Sequence, residues 1–366
     1  MRLGLTHDRG PGPLALMGTV TGGTTIVIAI SIAVLIWVWA AGGRSESLLV
    51  NVGITAIMVI GYQVFVGNTG IVSFGHPAFV AIGAYVGGLV AVPSGIKSAI
   101  LPDLPHWLMN LSVGFYPSIL IGGAAAGLAA LVVGPIVMRL SGATAGIMTF
   151  GLLVITNEVI RNLDQFTRGT QTFFGVPKAS GLLDVYGLLC ALTAVSLAYK
   201  FSRFGLRTRA ARDDPLAAET SGINVVRTRV GAWVLSASIT GVAGVLLAHQ
   251  LTAFSPQSFF ITMVIPVMVM AVLGGTASII GGVAGVVVIS AWLEFMRGIE
   301  GGSLFGLVEI PSIFGISQLT LGVGLILVLR LRPRGIFGST EFAWRLSGSR
   351  PRDRDPDRGA TQGQGE

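Results

Sequence analysis

The chain has 366 residues, 52% of them hydrophobic and 11% charged, with a formal net charge of +7. A soluble domain carries about 25% charged residues, so this composition excludes an ordinary soluble fold. The positive charge does not point to nucleic acid, because it is gathered into short clusters: six Arg lie between Arg203 and Arg229, and eight from Arg330 to Arg358. Such clusters beside apolar runs mark the cytoplasmic side of a membrane. The single cysteine, Cys190, lies within an apolar run. It builds no disulfide framework and reads as a buried thiol.

Runs of about 20 apolar residues read as membrane-crossing helices. Ten such segments are predicted, at about 24–41, 48–66, 71–92, 115–138, 143–161, 182–200, 230–250, 259–273, 276–296 and 313–330. The first run, preceded by Arg2 and Arg9, is long for a cleavable signal and is read as the first span. The fold class is therefore an all-α polytopic integral membrane protein with some short or broken helices. An even number of crossings puts both termini on one side. With the termini inside, 18 of the 24 Lys and Arg fall in the cytoplasm, leaving Arg44, Lys97, Arg161, Arg168, Lys178 and Arg297 outside.

Three units follow. Residues 1–23 form a cytoplasmic N-terminal segment and residues 24–334 a single membrane domain. Residues 335–366 form a polar cytoplasmic tail with almost nothing to bury after Gly348, expected to be disordered. Between Phe342 and Leu346 the chain either lies on the membrane surface or is a simple connector. Residues 93–114 and 162–181 read as outer loops and residues 201–229 as the main cytoplasmic loop.

Many of the 52 glycines lie inside apolar runs. Small residues four apart let membrane helices approach closely, and Gly83/Gly87, Gly123/Gly127, Gly142/Gly146 and Gly281/Gly285 have that spacing. Two Gly-rich breaks interrupt apolar runs: Gly67-Asn68-Thr69-Gly70 and Gly274-Gly275-Thr276. Broken segments in two halves of a chain point to a substrate path. The residues assigned to that path are Gly70, Ser73, Gly75, His76, Gly83, Gly274 and Gly275.

Catalytic signatures are missing from the sequence. It contains no phosphate-binding Gly-x-x-x-x-Gly-Lys-Ser/Thr loop, no metal-ligand spacing among His7, His76, His106 and His249, and no nucleophile elbow. No catalytic, cofactor-binding or metal site is expected. Glu158, His249 and Glu294 fall near segment ends, and Glu294 can pair with Arg297 one turn on. His76 lies in Ser73-Phe74-Gly75-His76-Pro77, where Pro77 disfavours helix before it. Irregular backbone at that depth needs protein or water beside it. A neutral His76 hydrogen-bonded to backbone is the expected role. The absence of Asp or Glu at segment centres argues against ion coupling, so the driving force must come from elsewhere.

The cytoplasmic loop encodes a discrete short helix. Asp214 suits the N-cap, Pro215 the first helical position, and Leu216, Ala217, Ala218 and Glu219 the interior. Gly222 is a natural stop. A two-turn helix is not stable alone in water. Leu216, Ala217 and Ile223 form a small apolar face that suits a partner's groove, and Arg207, Arg209 and Arg212 can orient that partner.

The stretch from Arg212 to Asn224 resembles the cytoplasmic coupling segment of the Liv-type branched-chain amino-acid permeases, the LivM group in particular. Other stretches agree with that family in order: Gly70–Phe79 with Ile82–Tyr85, Thr149–Gly151 with Gly169-Thr170 and Gly175–Pro177, Val272–Gly275 with Gly281–Gly285, and Arg332–Gly338. Together they cover about residues 48–338. Pro77 and Thr276 depart from the small residues expected there, and Thr170-Gln171-Thr172 stands where Gly, Ser and Asn are usual.

The resemblance implies the channel subunit of an ABC importer in the bacterial inner membrane. Its partners would be two ATPase subunits, which alone use ATP, a second Liv-type permease, and a periplasmic or lipid-anchored binding protein. Branched-chain amino acids are the implied substrate; urea or short-chain amides are the alternative within the class. An ion-coupled secondary transporter and a structural membrane scaffold are alternatives of other classes.

Overall fold

The computed structural model of the chain describes residues 46–300 without interruption, together with residues 25 and 27–30 and scattered positions between 303 and 330. Helix α1 (Glu46–Thr69) is followed by an irregular stretch and α2 (His76–Ala91). The short helices α3 (Ser94–Ile100) and α4 (His106–Met109) lead to α5 (Phe115–Val137) and α6 (Gly142–Asn162). After α7 (Asp164–Thr167) and the two-residue strand β1 (Phe173–Phe174) comes α8 (Leu182–Phe201). Two polar helices, α9 (Arg203–Asp213) and α10 (Pro215–Thr220), precede α11 (Val225–Leu251). Strand β2 (Ala253–Phe254) and a 3-10 turn (Pro256–Phe259) lead to α12 (Ile261–Gly274) and α13 (Ile279–Glu300). A small hairpin, β3 (Ser303–Leu304) with β4 (Val308–Glu309), follows.

Among the described residues seven helices are long and apolar enough to cross a membrane, or eight if α2 and α3, bent by 117°, count as one span. Eight of the ten predicted segments correspond to α1, α2, α5, α6, α8, α11, α12 and α13. The predicted segments 24–41 and 313–330, and the tail 335–366, lie wholly or largely outside the described residues.

Local chemistry sets the detail of two segments. The apolar run 71–92 is not one helix. Pro77 occupies the first turn of α2, where its missing N–H costs nothing, so the helix starts only at His76. At 16 residues it is about 24 Å long, short of the ~30 Å hydrocarbon core. Residues 201–229 carry, besides the expected short helix α10, helix α9 and the first turn of α11.

Helix α11 is the hub, packed against α1, α2 and α5. Its sequence explains why. Ala232, Ser236, Ala237, Thr240, Gly241, Ala243, Gly244 and Ala248 are all buried and small, so neighbouring backbones come close on several sides. A Cβ on Gly83 would collide with the Gly241 carbonyl, and one on Gly244 with the Val80 carbonyl. Gly87 and Gly123 abut Val245 and Val242, and Gly127 abuts Ser238. Gly285 abuts the Met270 carbonyl across the α12–α13 contact. A Cβ on Gly142 would meet nothing within 4 Å among the described residues.

At the end of the bundle that carries residues 162–181, β1 pairs antiparallel with β2, Phe173 opposite Phe254. Tyr85, Phe173, Phe254 and Phe259 close an aromatic cluster over the end of α2. His249 bridges Ser118 at 3.0 Å and the Pro177 carbonyl at 2.8 Å, tying α11 and α5 to the loop before α8. On the flank of the bundle, Ile30 joins α1, α8 and α13 around an apolar groove of about 330 Å³, so part of the first apolar run lies against these helices.

Candidate functional site

The helix predicted at 214–222 forms with the chemistry its sequence encodes. Asp214 Oδ1 accepts from the Ala217 N–H at 3.0 Å, and Pro215 opens the first turn. At the far end Gly222 has φ of +79°, a conformation that costs glycine little. The Gly222 N–H donates to the Glu219 carbonyl at 2.9 Å and the Ile223 N–H to the Ala218 carbonyl at 3.0 Å. This is the paired hydrogen bonding of a Schellman stop, and it is completed by an apolar contact between the same two residues.

The helix is also held from below. Ala218 packs with Ala211, Val225 and Ile223 in a small buried cluster joining α9, α10 and α11. This corrects the expected docking face. Ile223 turns inward with Ala218, while Leu216 stands 73% exposed with Asp214, Pro215, Ala217 and Glu219 around it. Arg212 does not point to an outside partner either, since its Nη1 donates to the Gly67 carbonyl at 2.7 Å. Arg209 lies over the Phe201 ring. Phe204 on α9 is 67% exposed, an apolar surface residue that the reading of the loop as basic passed over.

The second group of predicted residues surrounds the break after α1. Gly70 has φ of +70°, and the chain then runs without helix to Gly75. His76 is 2% exposed. Its Nδ1 lies 2.9 Å from Ser73 Oγ and its Nε2 2.7 Å from Ser236 Oγ. The Ser236 hydroxyl spends its proton on the Gly61 carbonyl at 2.6 Å, so His76 must donate at Nε2. A neutral ring then accepts at Nδ1 from Ser73. The ring is edged by Tyr62, Phe65, Phe79 and Trp233, with centroids 4.9 to 6.3 Å away. The partners are thus serine hydroxyls, where backbone was expected, and His76 pins α1, the break and α11 together.

Depth follows from the same contacts. Gly61 lies eight residues before Thr69, about 12 Å of helix rise. The irregular stretch therefore climbs that far alongside α1 before α2 begins. Helix α6 flanks it: the Phe74 N–H donates to Thr149 Oγ1 at 3.1 Å, and a Cβ on Gly75 would meet the Thr149 carbonyl at 2.7 Å. Ser73, Gly75, His76 and Gly83 are all buried. The open edge of the stretch consists of Gly70 and Val72, the latter 45% exposed. Val72 escaped the sequence reading because an apolar side chain in an apolar run carries no signal of its own.

The structure brings the two breaks together. A Cβ on Gly67 would stand 2.6 Å from the Thr276 carbonyl. Gln63 Nε2 donates to the Gly275 carbonyl at 3.0 Å, and Gly275 has φ of +111°. Gly274 is pressed on the Gly281 carbonyl of α13. Lys200 Nζ, at the end of α8, donates to the Ala277 carbonyl. Gly274 and Gly275 are therefore neighbours of Gly67–Gly70, whereas Gly83 lies apart in the α2–α11 contact.

Other ionisable residues take structural or surface positions. Glu294 pairs with Arg297 at 2.9 Å, as its spacing predicts, and Glu158 with Arg161 at 3.3 Å. Between the two connecting segments 93–114 and 162–181, Asp103, Asp164, Arg168, Thr170 and Gln171 line a polar cleft of about 380 Å³.

Comparison with known proteins adds a family to this geometry. The family model for branched-chain amino acid transport system / permease component matches residues 45–316. The chain is similar to the high-affinity branched-chain amino acid transport system permease protein LivM of Salmonella typhimurium strain LT2, at 25% identity over 90% of this chain and 79% of that protein. Its similarity to LivM of Escherichia coli strain K12 is 24% over the same shares. A probable branched-chain amino acid transport permease protein LivH of Methanocaldococcus jannaschii is 25% identical over 66% of this chain and 76% of its own length. No solved structure matches the chain significantly.

Proposed function

We propose that this chain, which belongs to the family of branched-chain amino acid transport permease components, forms half of the membrane channel of an ATP-driven importer. Branched-chain amino acids are its substrate class, in keeping with the transport systems of the LivM and LivH relatives. The chain supplies no ATPase site; two separate ATPase subunits drive it, a second permease completes the channel, and a binding protein delivers substrate. It lies in the bacterial inner membrane with ten crossings and both termini in the cytoplasm, an orientation that the arginine asymmetry supports. Residues 24–334 form the membrane domain.

One observation carries the reading: α10 is a self-capped helix, buried through Ala218 on one side and open through Leu216 on the other. A protein that turns over ATP elsewhere needs such an element to receive force. The path reading rests on Gly70 and Val72. Irregular backbone at membrane depth cannot face lipid tails, so the side on which Val72 is exposed faces the second permease and the water-filled path. Uptake of labelled leucine into energised membrane vesicles tests the class. Vanadate should abolish it and a protonophore should leave it intact; the opposite pattern would replace this reading with ion-coupled transport.

A further inference from the structure

Six arginines between Arg203 and Arg229 look equivalent in the sequence, and the structure separates one of them. Arg212, the penultimate residue of α9, turns from the cytoplasmic face toward the membrane domain. Its Nη1 donates to the Gly67 carbonyl at 2.7 Å. That carbonyl belongs to the last turn of α1 and has no helical partner, because the Ile71 N–H that would reach it bonds Thr69 Oγ1 instead. A guanidinium there satisfies an orphan acceptor and meets the negative end of the helix dipole. The aliphatic part of the same side chain lies against Gly70, where a Cβ would stand 3.0 Å from Cγ and 3.2 Å from Cδ. The remaining contact, Nε to Asp213 Oδ1 at 3.9 Å, is long and exposed.

Gly67 is gripped on its other side by the second break, through Thr276. The neighbouring carbonyl of that break, on Ala277, accepts from Lys200 Nζ just before α9 begins. The two basic residues that bracket α9 thus each hold one of the two broken helix ends. Helix α9 packs against α10 through Ala211 and Ala218, and only Asp213 and Asp214 separate Arg212 from Pro215. Displacement of α10 that carries α9 with it would therefore either move the end of α1 or break the Arg212–Gly67 bond.

We infer that Arg212 is the positioning residue that transmits movement of α10 to the Gly67–Gly75 break, so that force received on the cytoplasmic face opens or closes the path beside Val72. This rests on the reading of α10 as the ATPase-docking element.

The test compares Arg212→Ala and Arg212→Lys with Leu216→Glu in the assembled transporter, purified through a tag on this chain and reconstituted in liposomes. Uptake and ATP hydrolysis are measured on the same preparation. Arg212→Ala should retain its ATPases and hydrolyse at near the unmodified rate, while substrate moved per ATP falls at least tenfold. Arg212→Lys, whose ammonium can still donate to the Gly67 carbonyl, should recover a substantial part of that ratio. A role confined to stability would lower the yield of complex and leave the ratio unchanged. A second readout does not depend on yield. In a Cys190→Ser background, maleimide labelling of Val72→Cys should change severalfold on trapping with ATP and vanadate, and Arg212→Ala should abolish that change. A normal ratio and a normal labelling change in Arg212→Ala, with Leu216→Glu defective, would overturn the transmission role alone. Unaltered association and hydrolysis in Leu216→Glu would instead remove the docking reading on which it stands.

Discussion

His76 shows how a residue with the profile of a ligand can be spent on structure. Both ring nitrogens are engaged by serines, and four aromatic rings leave the imidazole 2% exposed. Interhelical polar bonds in membranes are worth about 0.6 kcal/mol each on average, so the ring contributes mostly by filling its cage. His76→Ala should destabilise the protein by about 2–4 kcal/mol through the cavity and the lost edge contacts, read as a lower unfolding midpoint in detergent. The KM for uptake by the surviving protein should not change; a large rise in KM with unaltered stability would make His76 a substrate ligand. The sequence showed that the segment is irregular because Pro77 acts locally. It did not show the partner on α11, because Ser236 lies 160 positions away and nothing local announces it.

At the scale of elements, α10 was legible almost residue by residue, since capping by Asp214, entry by Pro215 and arrest at Gly222 are local decisions. Which side it buries was not. That depends on Ala211 and Val225 from neighbouring helices, and it reverses the expected place of Ile223. The same distinction reassigns Gly83, which in sequence is one more glycine near a break but in the fold is a backbone contact with Gly241. A leucine there has no room, so Gly83→Leu should abolish accumulation of folded protein and says nothing about the path. Val72→Trp adds bulk on the exposed edge of the irregular stretch. It should leave the complex assembled while reducing uptake at least tenfold, measured as initial rate per purified complex. Unimpaired uptake in Val72→Trp would place the path elsewhere.

For the whole molecule, composition and charge were enough to establish an all-helical membrane protein, because lipid tolerates few other solutions. They do not show how the helices meet. Gln63 and Gly275, hydrogen-bonded at the paired breaks, are 212 positions apart, and small residues mark close approach without saying to what. The proposed orientation puts α9 and α10 on the cytoplasmic side. An impermeant thiol reagent should label Ala217→Cys, in the Cys190→Ser background, from the cytoplasmic side only; labelling from outside intact cells would invert the topology. The claim that joins these scales is that α10 is where an ATPase engages the channel. It is tested most directly by Leu216→Glu, which replaces the exposed leucine of α10 with a charge at a cost of about 2 kcal/mol or more if that position is buried by a partner. The account predicts normal membrane insertion together with a parallel fall in ATPase co-purification and substrate-stimulated hydrolysis; unmodified levels of both would contradict it.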